Sequence, residues 1–251
     1  MNKQTKIMNG ENFSNKNQRI INGISANNYF LNKYNFYCGI TSSFSKIPYA
    51  GGSYIGKNIV VTAAHVVYKT NNINNIKVRF NKKNLYTKGL IFNVKKILIH
   101  PKYNHEKLDN DIALLFLDKN PINFNINKAF LPNNKLSNKI YNLNKPGIIL
   151  GYGVTDFNTN NQPNQLKYSL IKILNKNKVK IPNDWLTQNM ITAGDYNDPN
   201  DPNDNEDTCQ GDSGGPLFGN YGYKRSTVIF GITSWGVGCG LDNLPGVYTK
   251  V

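Results

Sequence analysis

The sequence predicts an all-β protein, and three observations carry that reading. Its apolar residues fall in short runs rich in β-branched and aromatic side chains, such as Ile59-Val60-Val61 and Ile112-Ala113-Leu114-Leu115-Phe116-Leu117. Clusters of Asn, Gly and Pro separate these runs, and no long helical period appears between them. The chain is 251 residues long, enough to bury a sizeable core and a common length for an all-β barrel protein.

From the amino terminus, residues 1–19 carry Lys and Asn but lack the apolar core of a signal peptide, and they read as a propeptide or extension. The strand at Asn58–Val61 runs into Thr62-Ala63-Ala64-His65, where two small residues let the imidazole approach its neighbours. Taken alone, His65 is either a locally satisfied core side chain or a base. Asp109-Asn110-Asp111 leads into the Ile112–Leu117 strand. A carboxylate at the mouth of an apolar strand costs free energy unless it is paired. An imidazole would suit Asp111, although either aspartate could equally cap the strand. Further on, Asp195–Asp207 repeats Asn, Asp and Pro, which break helix and strand alike. Its oxygen-rich spacing would suit Ca²⁺, but the prolines and the lack of an EF-hand pattern favour a plain loop. No metal and no cofactor is expected.

Gly211-Asp212-Ser213-Gly214-Gly215-Pro216 is the most informative string. A serine hydroxyl is a weak nucleophile until a base activates it and the backbone bends to expose it. Glycines permit that bend and leave amide N–H groups free to face a substrate oxygen. By itself the string also reads as a Gly-Pro turn between strands.

The net charge is +15, from 30 Lys and Arg against 15 Asp and Glu. Such a surface steers anionic partners or holds nucleic acid weakly. No nucleic-acid motif accompanies it, so no specific nucleic-acid partner is expected. Apolar windows reach only strand length, so no membrane span is expected.

His65, Asp111 and Ser213, in that order and set in Thr-Ala-Ala-His, Asn-Asp-Ile-Ala-Leu-Leu and Gly-Asp-Ser-Gly-Gly-Pro, closely resemble the trypsin/chymotrypsin-like serine peptidases. Ser234-Trp235-Gly236 and the run from Pro245 to Val251 are similar to further segments of that family. The resemblance runs from about Ile20 to Val251. It implies two packed six-stranded antiparallel β-barrels, about 20–125 and about 126–251, with the active site in the cleft between them.

The resemblance also implies roles. Ser213 would be the nucleophile, His65 its base and Asp111 the group that orients the imidazole. The amides of Gly211 and Ser213 would form the oxyanion hole. Ser234 would hydrogen-bond Asp111, Trp235 and Gly236 would pair with the substrate backbone, and Leu108 would shape the adjoining subsite. Asp207 would floor a pocket that selects Arg or Lys, with Gly236 and Gly246 as its small walls. Read without the resemblance, Asp207 simply ends the acidic stretch in solvent. Arg19 followed by Ile20-Ile21-Asn22-Gly23 is similar to an activation junction. Cleavage there would free the Ile20 ammonium to pair with Asp212. Otherwise Arg19 is an exposed basic residue and Asp212 a turn carboxylate.

Of the three cysteines, Cys209 and Cys239 match the family's bridge between the pocket walls, which leaves Cys38 as a small buried apolar residue. Other family bridges are absent. Ala50 and Val66 occupy one pair of positions, Gly147 and Gly219 another, and Thr192 one end of a third. The resemblance further implies secretion or vesicular storage and a C-terminal helix that the chain lacks after Val251. Expected partners are protein or peptide substrates, an activating protease and protein inhibitors, met by a monomer. The alternatives are a catalytically silent homologue that acts as a binding or regulatory protein and a basic adhesion or nucleic-acid-binding module.

Overall fold

The computed structural model describes residues 23–80, 84–142, 144–153, 162–194, 211–238 and 244–251. Strand β1 (Ile24–Ser25) and helix α1 (Asn28–Lys33) come first. Six strands then close on themselves in the order β2-β3-β4-β7-β6-β5. They are β2 (Tyr37–Ser42), β3 (Ala50–Gly56), β4 (Ile59–Thr62), β5 (Ile76–Phe80), β6 (Leu90–Ile99) and β7 (Ala113–Leu117). Alternation decides what turns inward: Ala113, Leu115 and Leu117 of β7 are buried, while Leu114 and Phe116 between them are only partly covered. Ile40, Val60, Val78 and Leu115 fill the centre together with Tyr54, Phe80 and Phe92. Phe80 meets Tyr54 and Phe92 edge to face, with ring centroids 6.3 and 5.3 Å apart.

Helix α2 (Ala64–Val67) is a single turn after β4, and α3 (Asn134–Ile140) precedes the second set of strands. These are β8 (Pro146–Gly151), β9 (Lys167–Leu174), β10 (Met190–Gly194), β11 (Pro216–Gly219), β12 (Val228–Trp235) and β13 (Gly246–Lys250). They run β9-β10-β13-β12-β11-β8, and β8 pairs back to β9 to close the circle. The architecture is therefore the expected pair of six-stranded antiparallel barrels. The outlier is β1, which lies along the edge of β9 that also carries β10, with Ile24 opposite Tyr168. Phe30 of α1 stacks on Tyr168 at 3.9 Å and fixes this crossing.

Another apolar cluster sits where the barrels meet. Phe36, Tyr37, Val61 and Ala63 of the first pack with Leu150, Tyr152, Phe218 and Ile232 of the second. This seam sets the geometry of anything built across it.

The many asparagines have local work. Asn27, Asn72, Asn120, Asn133 and Asn175 each cap a short helical turn by accepting a backbone N–H two or three residues ahead. Asn58, Asn110, Asn125 and Asn144 take left-handed backbone, which this side chain tolerates better than most. Cys38 is buried and unpaired. A Cβ on Gly147 would stand 2.5 Å from Leu217 Cδ1 and 3.0 Å from Phe230 Cζ, so apolar packing already fills the space there.

Candidate active site

Three segments from the two barrels converge at the seam. Strand β4 delivers Thr62 and Ala63, both fully buried, and α2 then turns His65 outward to partial exposure. Asp111 enters from the other side of the first barrel, immediately after left-handed Asn110, and is wholly buried. Its carboxylate does not cap β7. Oδ1 accepts the His65 backbone N–H at 2.8 Å, and Oδ2 lies 2.7 Å from His65 Nδ1. Oδ2 also accepts Ser234 Oγ of the second barrel at 2.5 Å. Three donors thus surround one buried anion, which is what a carboxylate taken out of water requires. The register between β12 and β13 slips between Thr233 and Trp235, and this bulge is where Ser234 leaves the ladder to face Asp111.

Ser213 stands in a tight turn between Gly211, with φ +97°, and Gly214, with φ +77°. Both angles lie in the region that favours glycine. The turn is stitched into both barrels. Gly51 N–H of the first donates to the Ser213 carbonyl at 2.8 Å, and Gly214 N–H donates to Thr233 O of the second at 2.8 Å. A Cβ on Gly214 would overlap Thr62 Oγ1, three residues before His65, and come 2.6 Å from Gly51 O. Glycine therefore sets how closely the serine turn approaches the histidine segment. Among the described residues, neither Gly211 nor Ser213 donates its N–H to a backbone acceptor. The hydrogen bonds of His65 run to Asp111, and none among the described residues joins its ring to the Ser213 hydroxyl. Such bonds commonly tighten only when substrate arrives.

Asp212 reaches into the second barrel, towards the end of β8. Its carboxylate is buried, and Oδ1 accepts Gly153 N–H at 2.8 Å. Gly151 and Gly153 make room for it, since a Cβ on either would overlap the carboxylate oxygens. Burial and then the Asp212 charge push the Tyr37 phenol well above its ordinary range, so this side of the seam holds a neutral phenol beside an anion.

Of the remaining candidates, Trp235 ends β12 with its ring 6.4 Å from that of Trp185, and Gly236 follows it. Gly246 opens β13 opposite Ala193. Leu108 is partly buried and left-handed, with φ +51°. Asp207, Cys209, Cys239, Arg19 and Ile20 lie outside the described residues. Sequence patterns do not single out Gly51, Gly151 or Gly153, and they mark Thr62 only as the start of the string that ends at His65; what these residues face across the fold gives them their weight. Among the described residues, no group of His, Cys, Asp or Glu could hold a metal ion.

With this geometry established, comparison with known proteins is direct. A family model described as Trypsin matches residues 27–251. A trypsin of Simulium vittatum is 35% identical over 210 residues, covering 82% of this chain and 78% of its own length. A trypsin of Phaedon cochleariae is 34% identical over 208 residues, covering 81% and 74%. Trypsin-3 of Salmo salar is 35% identical over 211 residues, covering 81% and 78%. The chain belongs to the trypsin family of serine proteases.

Proposed function

We propose that this protein is a serine endopeptidase that cleaves after Arg or Lys through Ser213, His65 and Asp111. The observation that carries the reading is the buried Asp111 carboxylate, shared by the His65 ring and the Ser234 hydroxyl. An Nδ1–H donated to Asp111 leaves Nε2 as the acceptor facing the serine turn. Ser213 Oγ attacks the scissile carbonyl while Nε2 takes its proton. The negative oxygen that forms is met by the Gly211 and Ser213 N–H groups, where losing one donor typically costs about 2.7–4 kcal/mol of barrier. His65 then passes its proton to the leaving amine, and water repeats the sequence on the acyl-enzyme.

Selectivity follows from Asp207 as an anion at the base of the pocket, between walls kept open by Gly236 and Gly246. A desolvated carboxylate strongly favours a guanidinium or ammonium partner. Trp235 and Gly236 offer their backbone to the substrate, and Leu108 shapes the adjoining subsite. Cleavage after Arg19 activates the chain, because the freed Ile20 ammonium pairs with buried Asp212 and orders the Ser213 turn. A Cys209–Cys239 bridge ties the pocket walls and suits an oxidising compartment. Among the described residues, no helix is long and apolar enough to cross a membrane.

The experiment is hydrolysis of arginyl, lysyl and phenylalanyl reporter amides by the Arg19-cleaved chain, with fluorophosphonate labelling alongside. Labelling lost in Ser213→Ala and turnover confined to Arg and Lys are expected. Equal turnover after Phe overturns the specificity, and no labelling at all points to a silent homologue.

A further inference from the structure

Asp109 has no part in the chemistry proposed above, yet its carboxylate crosses to the second barrel. Oδ1 accepts Thr187 Oγ1 at 2.5 Å and Asn189 Nδ2 at 3.2 Å, and Oδ2 lies 3.3 Å from that same amide nitrogen. The receiving segment is itself held. Lys176 Nζ donates to Thr187 O at 2.5 Å, Asn189 N–H to Thr187 Oγ1 at 3.2 Å, and Lys250 N–H to Asn189 O at 2.8 Å. The anchor therefore draws on the ground around β9, β10 and β13, not on a lone loop.

The residues on either side of Asp109 are both left-handed, Leu108 with φ +51° and Asn110 with φ +52°. For a leucine this backbone is costly and persists only where its surroundings hold it. One residue after Asn110, Asp111 must meet the His65 ring and Ser234 together. Within the first barrel the segment is held by the Asn104–Asp109 backbone pairing, by Asn110 Nδ2 donating to Lys102 O at 3.1 Å and to Asp109 Oδ2 at 3.0 Å, and by the His65 N–H at Asp111. Towards the second barrel its ties are Ser234 at Asp111 and, two residues earlier, Thr187 and Asn189 at Asp109.

We infer that Asp109 is a positioning residue: its grip on Thr187 and Asn189 locks the Leu108–Asn110 turn so that Asp111 faces both His65 and Ser234. The inference rests on the catalytic reading of His65, Asp111 and Ser213. It assigns Asp109 no contact with substrate or with the reacting atoms.

The test uses the Arg19-cleaved full chain and the variants Asp109→Ala, Thr187→Val and the exchange Asp109→Asn/Asn189→Asp. One readout is kcat and KM on a single-residue arginine amide, which does not reach Leu108. The other is the far-downfield proton resonance of the His65 N–H bonded to Asp111, which needs no turnover. Asp109→Ala is expected to lower kcat about tenfold to a hundredfold, with KM within about twofold, and to shift or broaden the resonance. Thr187→Val gives a smaller loss of the same kind, and the exchange, which again sets a carboxylate against an amide, recovers most of kcat. Unchanged kcat and resonance in both single variants overturn the inference, as do losses that merely follow the folded fraction. Should Asp109→Ala not fold, Thr187→Val decides. A wild-type chain without turnover whose resonance still moves in the variants overturns the catalytic reading and keeps the positioning role. An active chain whose resonance does not move does the reverse.

Discussion

Ser234 and Asp111 stand on different barrels, yet Ser234 Oγ donates to Asp111 Oδ2 at 2.5 Å with both side chains buried. Removing the hydroxyl leaves a buried carboxylate short of one donor, a loss worth about 1–3 kcal/mol. Ser234→Ala is expected to lower the urea midpoint accordingly. It is also expected to reduce kcat about tenfold or more, because His65 is held through that carboxylate. Steady-state kinetics on an arginyl amide check this, and an unchanged kcat would count against it.

Gly214→Ala tests the contact between the serine turn and the histidine segment. The new methyl group would meet Thr62 Oγ1 and Gly51 O, on a backbone with φ +77°. Left-handed alanine costs about 1–2 kcal/mol and overpacking about 1–3 kcal/mol, so a loss of about 2–5 kcal/mol is expected. Urea unfolding in a Ser213→Ala background, where self-digestion is blocked, measures it. A loss below about 1 kcal/mol would show that the seam yields more easily than its packing implies.

Lys176 should leave a mark on the pH dependence of stability. Burial, and then the Lys250 charge, bring its ammonium down to about 8 from an ordinary 10.5, against an upward pull from Asp109. Between those values the unfolded chain binds the extra proton, so this group's contribution to stability rises with pH through that window. Below it, the charged lysine disfavours the folded state. Relative to Lys176→Met, the parent should gain stability steadily over that range. Parallel curves for the two proteins in the Ser213→Ala background would contradict the assignment.

Thiol counting tests the proposed bridge. Cys38 is buried, and burial pushes its thiol well above the ordinary range, so it should not react in the native protein. If Cys209 and Cys239 are joined, only one of the chain's three cysteines should react in denaturant without reductant, and all three after reduction. Three reactive thiols without reductant would remove the bridge.

The all-β class was legible because short β-branched runs cannot bury themselves as helices of useful length. His65, Asp111 and Ser213 stood out as candidates because each sits in a local string that resembles the family's. What the strings left open was direction. Asp109 and Asp111 read alike as possible strand caps, but neither serves that way: one reaches Thr187 and Asn189, the other His65 and Ser234. Thr62 donates its hydroxyl to Gly51 O at 2.8 Å, and the weight of this pair appears only where Gly214 comes against it. Residues distant in sequence acquire these meanings through barrel closure, which no local pattern records.

The pairing of β1 with β9 has a consequence for synthesis. Ile24 is matched to Tyr168, and Ala26 N–H donates to Leu166 O at 2.8 Å. A chain leaving the ribosome from its amino end exposes β1 first but offers it no partner until β9 has emerged. The first barrel can close meanwhile, using pairings between Tyr37 and Leu117. Seating of β1 is therefore a late event that reports the arrival of the second half.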